Sequence, residues 1–363
     1  PIKYKTWEDA LCTYTVEDSL SHTFSNLREG PRSLKGALTF KPMIKKMQEC
    51  NPRSVDRLAK NLEAMPLGST QYSGVDTPVL ALHQGLVDLQ RCGVKLMEDS
   101  GVVWLDACDN NEDARKVLLS YPDGDGADCV FEDMCDRVPQ RLLHELHEIQ
   151  LPEKSAPLEA HMLATTAMRA IIDANLGVLF PDNLTCKCAK HSKRCLVYHS
   201  LRPQTRRLRR SIARHWKTHL LTLRVAGTTC TAFTMFGKRE KMSHASAIPF
   251  LIWEAEIKKR KPSIWIQENG PDFLAEMLAQ EFWKLYKVYT VLLCPTTIGF
   301  PVRRLRRWTF GVLSETHVFT GSIPEFLDFV CCTVQLDGQA FFIEDVNSVQ
   351  SYVVEMCEQQ GIF

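Results

Sequence analysis

Cys230 lies in the run TTCTAFTMFGK, Thr228 to Lys238, directly after an apolar stretch that reads as a strand, Thr222–Ala226. A thiol on such a loop is exposed at the end of a sheet. Flanking basic sequence favours its thiolate, the form that attacks electron-poor carbon. A loop cysteine alone is more often inert, so the weight falls on its companions. Acids follow two other strand-like runs, Asp109 after Val102–Leu105 and Asp133 after Cys129–Phe131, and Glu268–Asn269 follows Ser263–Gln267. The carboxyl ends of strands in an open parallel sheet form the ligand crevice, and that shared position gathers these residues into one region.

Two further groups carry chemistry. Cys186, Cys188, His191 and Cys195 form C-x-C-x2-H-x3-C, four soft ligands able to hold a structural zinc ion in a segment with little core of its own. Reduced structural cysteines are the plainer reading of the same residues. Nearby, Asn183 to Arg239 contains no Asp or Glu but fourteen Lys or Arg residues, among them Arg206, Arg207, Arg209, Arg210 and Arg214. Such a block suits a polyanion, as nucleic acid is, although a solvated basic face or a nuclear-localisation patch has the same composition.

The elements that must position these groups alternate between short apolar runs and helical segments. The 363 residues, 45% hydrophobic and 24% charged with a formal net charge of +1, have the balance of a globular chain. No apolar run reaches the length of a membrane span, and the N-terminus lacks a signal-like apolar region. The fourteen cysteines show no repeated spacing and read as reduced intracellular thiols, with the nucleus favoured over the cytoplasm. Residues 1–69 read as a helical extension with an amphipathic stretch at Ser54–Met65. The remaining divisions expected are 70–139, 140–221 as a helical then basic Cys/His-rich insertion, 222–315, and a C-terminal segment 316–363. The helices Asp113–Leu119 and Ser246–Arg260 and the strands Tyr289–Leu293 and Trp308–Val312 complete an α/β pattern.

The order Thr229–Cys230, Phe233–Thr234, Gly237–Lys238, Glu268–Asn269 and GFPVRRLRR (Gly299 to Arg307) resembles the cytosine-C5 DNA methyltransferase family. Tyr72-Ser73-Gly74-Val75-Asp76-Thr77 looks like a variant of that family's cofactor loop. The whole pattern is similar to divergent methyltransferase-like proteins of dinoflagellates and other algae. The resemblance implies a Rossmann-like S-adenosylmethionine-dependent methyltransferase sheet with helices on both faces. It implies that Cys230 adds to cytosine C6, that Glu268 with a raised pKa stabilises the adduct at N3, and that Arg306 and Arg304 hold the base carbonyl and phosphate. Tyr72, Ser73, Gly74, Asp76, Asp109 and Asp133 would bind S-adenosylmethionine, with Asp109 on the ribose and Asp133 on the adenine. Arg303, with the basic block, would contact nucleic acid, DNA in the first instance. Four positions depart from the family: Thr229 stands for its Pro, Val302 for its Gln, and Asp76 and Thr77 for its glycines. RNA as the substrate, or an inactive nucleic-acid-binding protein of the same fold, are the alternatives.

Overall fold

The structure, a computed structural model, describes residues 4–15, 29–30, 32, 39–74, 76–122, 125–150, 158–198, 207, 209–211, 214, 219–228 and 247–336. Among them ten strands form one sheet: β1 Leu11–Thr15, β2 Leu67–Gln71, β3 Val103–Cys108, β4 Cys129–Phe131, β5 Thr185–Cys188, β6 Lys193–Leu196, β7 Thr222–Ala226, β8 Ile264–Asn269, β9 Tyr286–Leu293 and β10 Arg306–Leu313. The helices are α1 Trp7–Ala10, α2 Lys41–Cys50, α3 Pro52–Glu63, α4 Thr77–Arg91, α5 Glu112–Ser120, α6 Gln140–His147, α7 Leu158–Asn175, α8 Ala247–Arg260, α9 Ala275–Phe282 and α10 Ile323–Val330.

The sheet order is β1-β9-β10-β8-β7-β2-β3-β4-β5-β6. Strands β8, β7, β2, β3 and β4 are mutually parallel, while β10 runs antiparallel between β8 and β9. The chain winds outward from β2 through β3 to β4, and from β7 through β8 in the opposite direction. Its topological switch point therefore lies between β2 and β7, where a doubly wound sheet opens a crevice at its carboxyl edge.

Period-two alternation puts a helical layer on each face. On β4, Val130 packs with Val79 of α4, Leu118 of α5, Trp104 and Ala107. Its neighbours Cys129 and Phe131 join the other cluster, with Leu142 and Leu146 of α6, Met168 of α7 and Phe282 of α9. Helix α8 lies within this second layer. Its sequence AIPFLIWEAEI is apolar nearly all round, and every residue from 247 to 257 except Pro249 is buried, as a helix enclosed on nearly every side requires.

Two carboxylates of that helix are buried with it and must be paired. Glu254 is gripped by Arg169 through Nε and Nη2 at 3.1 and 2.9 Å. Glu256 accepts from Nη1 of the fully buried Arg137 at 2.9 and 2.8 Å, while Arg137 Nη2 donates to Asp106 of β3 at 3.0 Å. Arg224 of β7 closes the group, 3.3 Å from both Asp106 and Glu256. Burial opposes the charge on Asp106, yet Arg224 and Arg137 hold its carboxyl below the ordinary carboxylate range.

The strand expected at Val102–Leu105 runs to Cys108, and the one at Ser263–Gln267 runs to Asn269. Strands β4 and β7 have the bounds read from the sequence. Residues 1–69 are helical in α1, α2 and α3, but they also supply β1, at one edge, and most of the central β2. The segment expected as a Cys/His-rich insertion contributes α6 and α7, then the antiparallel pair β5–β6, which extends the sheet beyond β4.

Candidate active site

The ends of β2, β7, β8 and β10 border a cavity of about 710 Å3 at the switch point. Tyr72, Ser73 and Gly74 line it from the β2 side, Gly227 from β7, Glu268 from β8, and Arg304, Arg306 and Trp308 from the approach to β10 and its first turns. Glu268 and Arg306 belong to neighbouring antiparallel strands, with Trp308 paired to Glu268 in register. That pairing brings Arg306 Nε to 2.8 Å from Glu268 Oε1, an ion pair about one-fifth exposed. The cationic guanidinium and the carboxylate thus present complementary groups to the same cavity. A Cβ added to Gly227 would lie 3.8 Å from Glu268 Oε2 and 3.4 Å from the Tyr72 carbonyl oxygen, so β7 ends close under both walls.

Cys230, together with Thr229 and Arg206, lies outside the described residues. The foot of its loop is described, and it is tightly held. Thr228, two positions earlier, is buried, and its Oγ1 accepts from Gln267 Nε2 at 2.7 Å and from Asn269 Nδ2 at 2.8 Å. Asn269 also accepts from the Gly270 N–H at 2.7 Å. The Glu–Asn pair at the end of β8 therefore divides its work: Glu268 faces the cavity, and Asn269 fastens the β7 loop. Thr228 and Gln267 carry no motif signal in the sequence, because a buried amide–hydroxyl pair is recognised only once β7 and β8 are known to be neighbours.

The loop after β2 has left-handed backbone at Tyr72 (φ 53°), Gly74 (φ 54°) and Asp76 (φ 57°). Ser73 spans two strands: its hydroxyl contacts Thr70 Oγ1 at 2.8 Å, donates to the Cys108 carbonyl at 3.2 Å and accepts from the Cys108 N–H at 3.1 Å. Gly74 donates its N–H to Asp109 Oδ2 at 2.7 Å, and nothing lies within 4 Å of where its Cβ would be. That open side is what a closely approaching ligand needs. Tyr72 has its hydroxyl buried without a partner, and burial pushes its pKa well above the ordinary value. Asp76 caps α4 with one buried carboxylate oxygen unpartnered. Burial raises its pKa to about 6, against a lowering hydrogen bond from Thr70.

Asp109 and Asp133 stand beyond β3 and β4 but do not line the cavity. Asp109 Oδ1 accepts from the Asn111 N–H at 2.8 Å, and Asp133 Oδ1 accepts from the Cys135 N–H at 2.8 Å. Both thus serve the turns that follow them, and each retains further acceptor capacity. A second thiol, Cys294, does line the cavity. Burial opposes its ionisation, but the Thr296 hydroxyl, 3.0 Å away, and backbone N–H groups bring its pKa below the ordinary thiol value.

Two sequence expectations need correction. Arg209 does not face a polyanion: it is 4% exposed, donating to the Met65 carbonyl at 2.7 Å and the Leu221 carbonyl at 3.2 Å. Burial lowers its pKa to about 10. Arg207, Arg210, Arg214 and Arg303 are exposed. Cys186 does not join the other soft ligands, since its buried thiol donates to the Asp136 carbonyl at 3.2 Å. Cys129 of β4 takes its place, beside Cys188, His191 and Cys195.

Fold and site define the chain as a doubly wound α/β protein with a cavity at its switch point, into which Glu268, Arg304 and Arg306 bring charge. No protein-family profile matches it, and no curated protein does. Among solved structures it is similar to the Dnmt2 methyltransferase of S. pombe (TM-score 0.35, 13% identity, 73% of this chain and 54% of that one). It is similar also to DNMT2 of Spodoptera frugiperda (0.33, 13%, 71% and 53%). A putative DNA modification methyltransferase encoded within an E. coli prophage gives 0.32, 12%, 77% and 56%. The chain spans about half the length of these structures.

Proposed function

We propose that the protein is a cytosine-C5 methyltransferase acting on nucleic acid, DNA in the first instance, with Cys230 as nucleophile. The observation that carries this reading is the Glu268–Arg306 pair facing the switch-point cavity while Asn269 and Gln267 fasten the loop that leads to Cys230. A loop anchored two residues before its thiol has little freedom at its base, which favours presentation of the thiol to the same cavity.

The residues at the cavity fit S-adenosylmethionine as methyl donor. The volume is of the size that holds such a molecule, and Gly74 leaves an open approach. Tyr72, Ser73 and Gly74 would hold it from the cavity wall; Asp76, Asp109 and Asp133 stand outside that lining, and their expected roles toward the donor, Asp109 at the ribose and Asp133 at the adenine, rest on the family resemblance. When bound, it supplies a methyl group on a sulfonium centre.

On the protein side, the Cys230 thiolate adds to C6 of cytosine and moves electron density to N3 and the carbonyl oxygen. Glu268 holds the proton at N3, and Arg306, with Arg304 beside it, donates to the carbonyl oxygen. With the donor bound, C5 would become methylated with release of the sulfonium as a neutral thioether; loss of the C5 proton to a base and elimination would then return the Cys230 thiolate. A target in a duplex must first leave the stack. Arg207, Arg210 and Arg303, which are exposed, would contact phosphates, a role that suits a nuclear protein.

The test is trapping on DNA and RNA oligonucleotides containing 5-fluorocytosine, whose C5 fluorine cannot leave as a proton, with labelled donor. A covalent adduct is expected for the wild type and none for Cys230→Ala, with peptide mapping assigning the bond to Cys230 rather than Cys294. Binding to both polymers without any adduct would overturn the enzyme reading and favour a binding protein. An adduct on RNA alone would reassign the polymer.

A further inference from the structure

The corrected cysteine cluster has the dimensions of a metal site. The ligand atoms of Cys129, Cys188, His191 and Cys195 all lie within 4.8 Å of one another. The three sulfurs stand 3.4, 3.4 and 3.5 Å from His191 Nδ1. An imidazole nitrogen offers one N–H or one lone pair, so hydrogen bonding can use only one of these three contacts. A tetrahedron with metal–sulfur bonds of about 2.3 Å and a metal–nitrogen bond of about 2.0 Å has sulfur–nitrogen edges of about 3.5 Å. All three observed separations match that edge.

We propose that Cys129, Cys188, His191 and Cys195 bind one structural zinc ion. Three thiolates and an imidazole fill a tetrahedral shell, leaving no open position for substrate. Cys129 is the first residue of β4, whereas the cavity lies beyond the last residues of β2, β7 and β8, so the ion is remote from the proposed chemistry. Its placement gives it a mechanical role. The β5–β6 hairpin has strands of four residues each and meets the sheet through the single register pair Phe131–Cys188. His191 lies in the turn of that hairpin, Cys188 and Cys195 on its two strands, and Cys129 in the sheet proper. One ion would fasten the insertion to the core, supplying cohesion that so short a hairpin lacks.

The experiment is metal analysis of the full chain after dialysis against zinc-buffered, reducing solution, followed by replacement with cobalt(II). One zinc per chain is expected, and the cobalt form should show visible bands of tetrahedral geometry with a thiolate charge-transfer band in the near ultraviolet. Cys129→Ser and His191→Ala should each weaken zinc on the order of 100-fold or more, whereas Cys186→Ser should retain full stoichiometry. The exposed turn position of His191 lets its variant fold, as circular dichroism would verify. No zinc retained by the wild type, or equal loss in Cys186→Ser and Cys129→Ser, overturns the proposal. Neither result depends on methyl transfer.

Discussion

Asp76 shows how much one side chain can set against another at this site. It holds left-handed backbone, caps a helix and buries a carboxylate oxygen with nothing to bond. Its pKa is raised from 3.8 to about 6, chiefly by burial, so the folded protein binds the proton more tightly than the unfolded chain does. Stability from this group therefore falls as pH rises from about 4 to about 6 and stays low above that. Asp76→Asn, which keeps an amide tolerant of positive φ, should stabilise the protein near neutral pH by at most about 3 kcal/mol. The gain should vanish near pH 4, and urea denaturation at both pH values checks it. If the carboxylate faces the donor, the same substitution weakens donor binding in calorimetry, a gain in stability set against function.

Among the elements, the buried group joining β3, β7, α8 and the turn after β4 ties both halves of the sheet together. Arg137→Met leaves Asp106 and Glu256 with Arg224 as their remaining cationic partner. The loss should be about 3–5 kcal/mol, read as a drop in the thermal midpoint. Adding Asp106→Asn and Glu256→Gln should recover much of it, because the cost comes from uncompensated charge. The same scale explains what the sequence reveals. Strands β4 and β7, and the cores of β3, β8, β9 and β10, are apolar runs bounded by turns, and of the acids that follow them Glu268 reaches the crevice. Strand β2, LGSTQ, has almost no apolar signal although its last four residues are buried. Its burial is sustained by tertiary bonds such as Ser69 Oγ to Asp106 at 2.5 Å, and these are invisible until β3 is placed beside it. Cys129 escaped notice for a similar reason: the pairing of β4 with β5, not sequence spacing, carries it to the other soft ligands. Arg209 looked like its basic neighbours, since composition does not tell an arginine that caps backbone carbonyls from one in solvent. Glu268 was marked by its type and its place after a strand, whereas Arg306, ahead of the strand expected at Trp308–Val312, stood out only through the family resemblance.

For the whole molecule, the sheet has two ends with different content. The cavity opens beyond the last residues of β2, β7 and β8, while Arg209 is fixed to carbonyls of Met65 and Leu221, just before the first residues of β2 and β7. The exposed neighbours Arg207 and Arg210 are therefore anchored at the amino edge, a strand's length from the cavity. Five residues of strand at about 3.3 Å each separate the two edges by roughly 16 Å. A stacked polynucleotide strand gripped at both would cover about five nucleotides at 3.4 Å apiece. Fluorescence anisotropy over a series of single strands should show affinity rising steeply once that length is passed. In an Arg207→Ala, Arg210→Ala double variant the rise should disappear while the shortest strands bind as before. The anchoring of one buried arginine thus sets a footprint, and makes the length of a bound strand a property that the protein can measure.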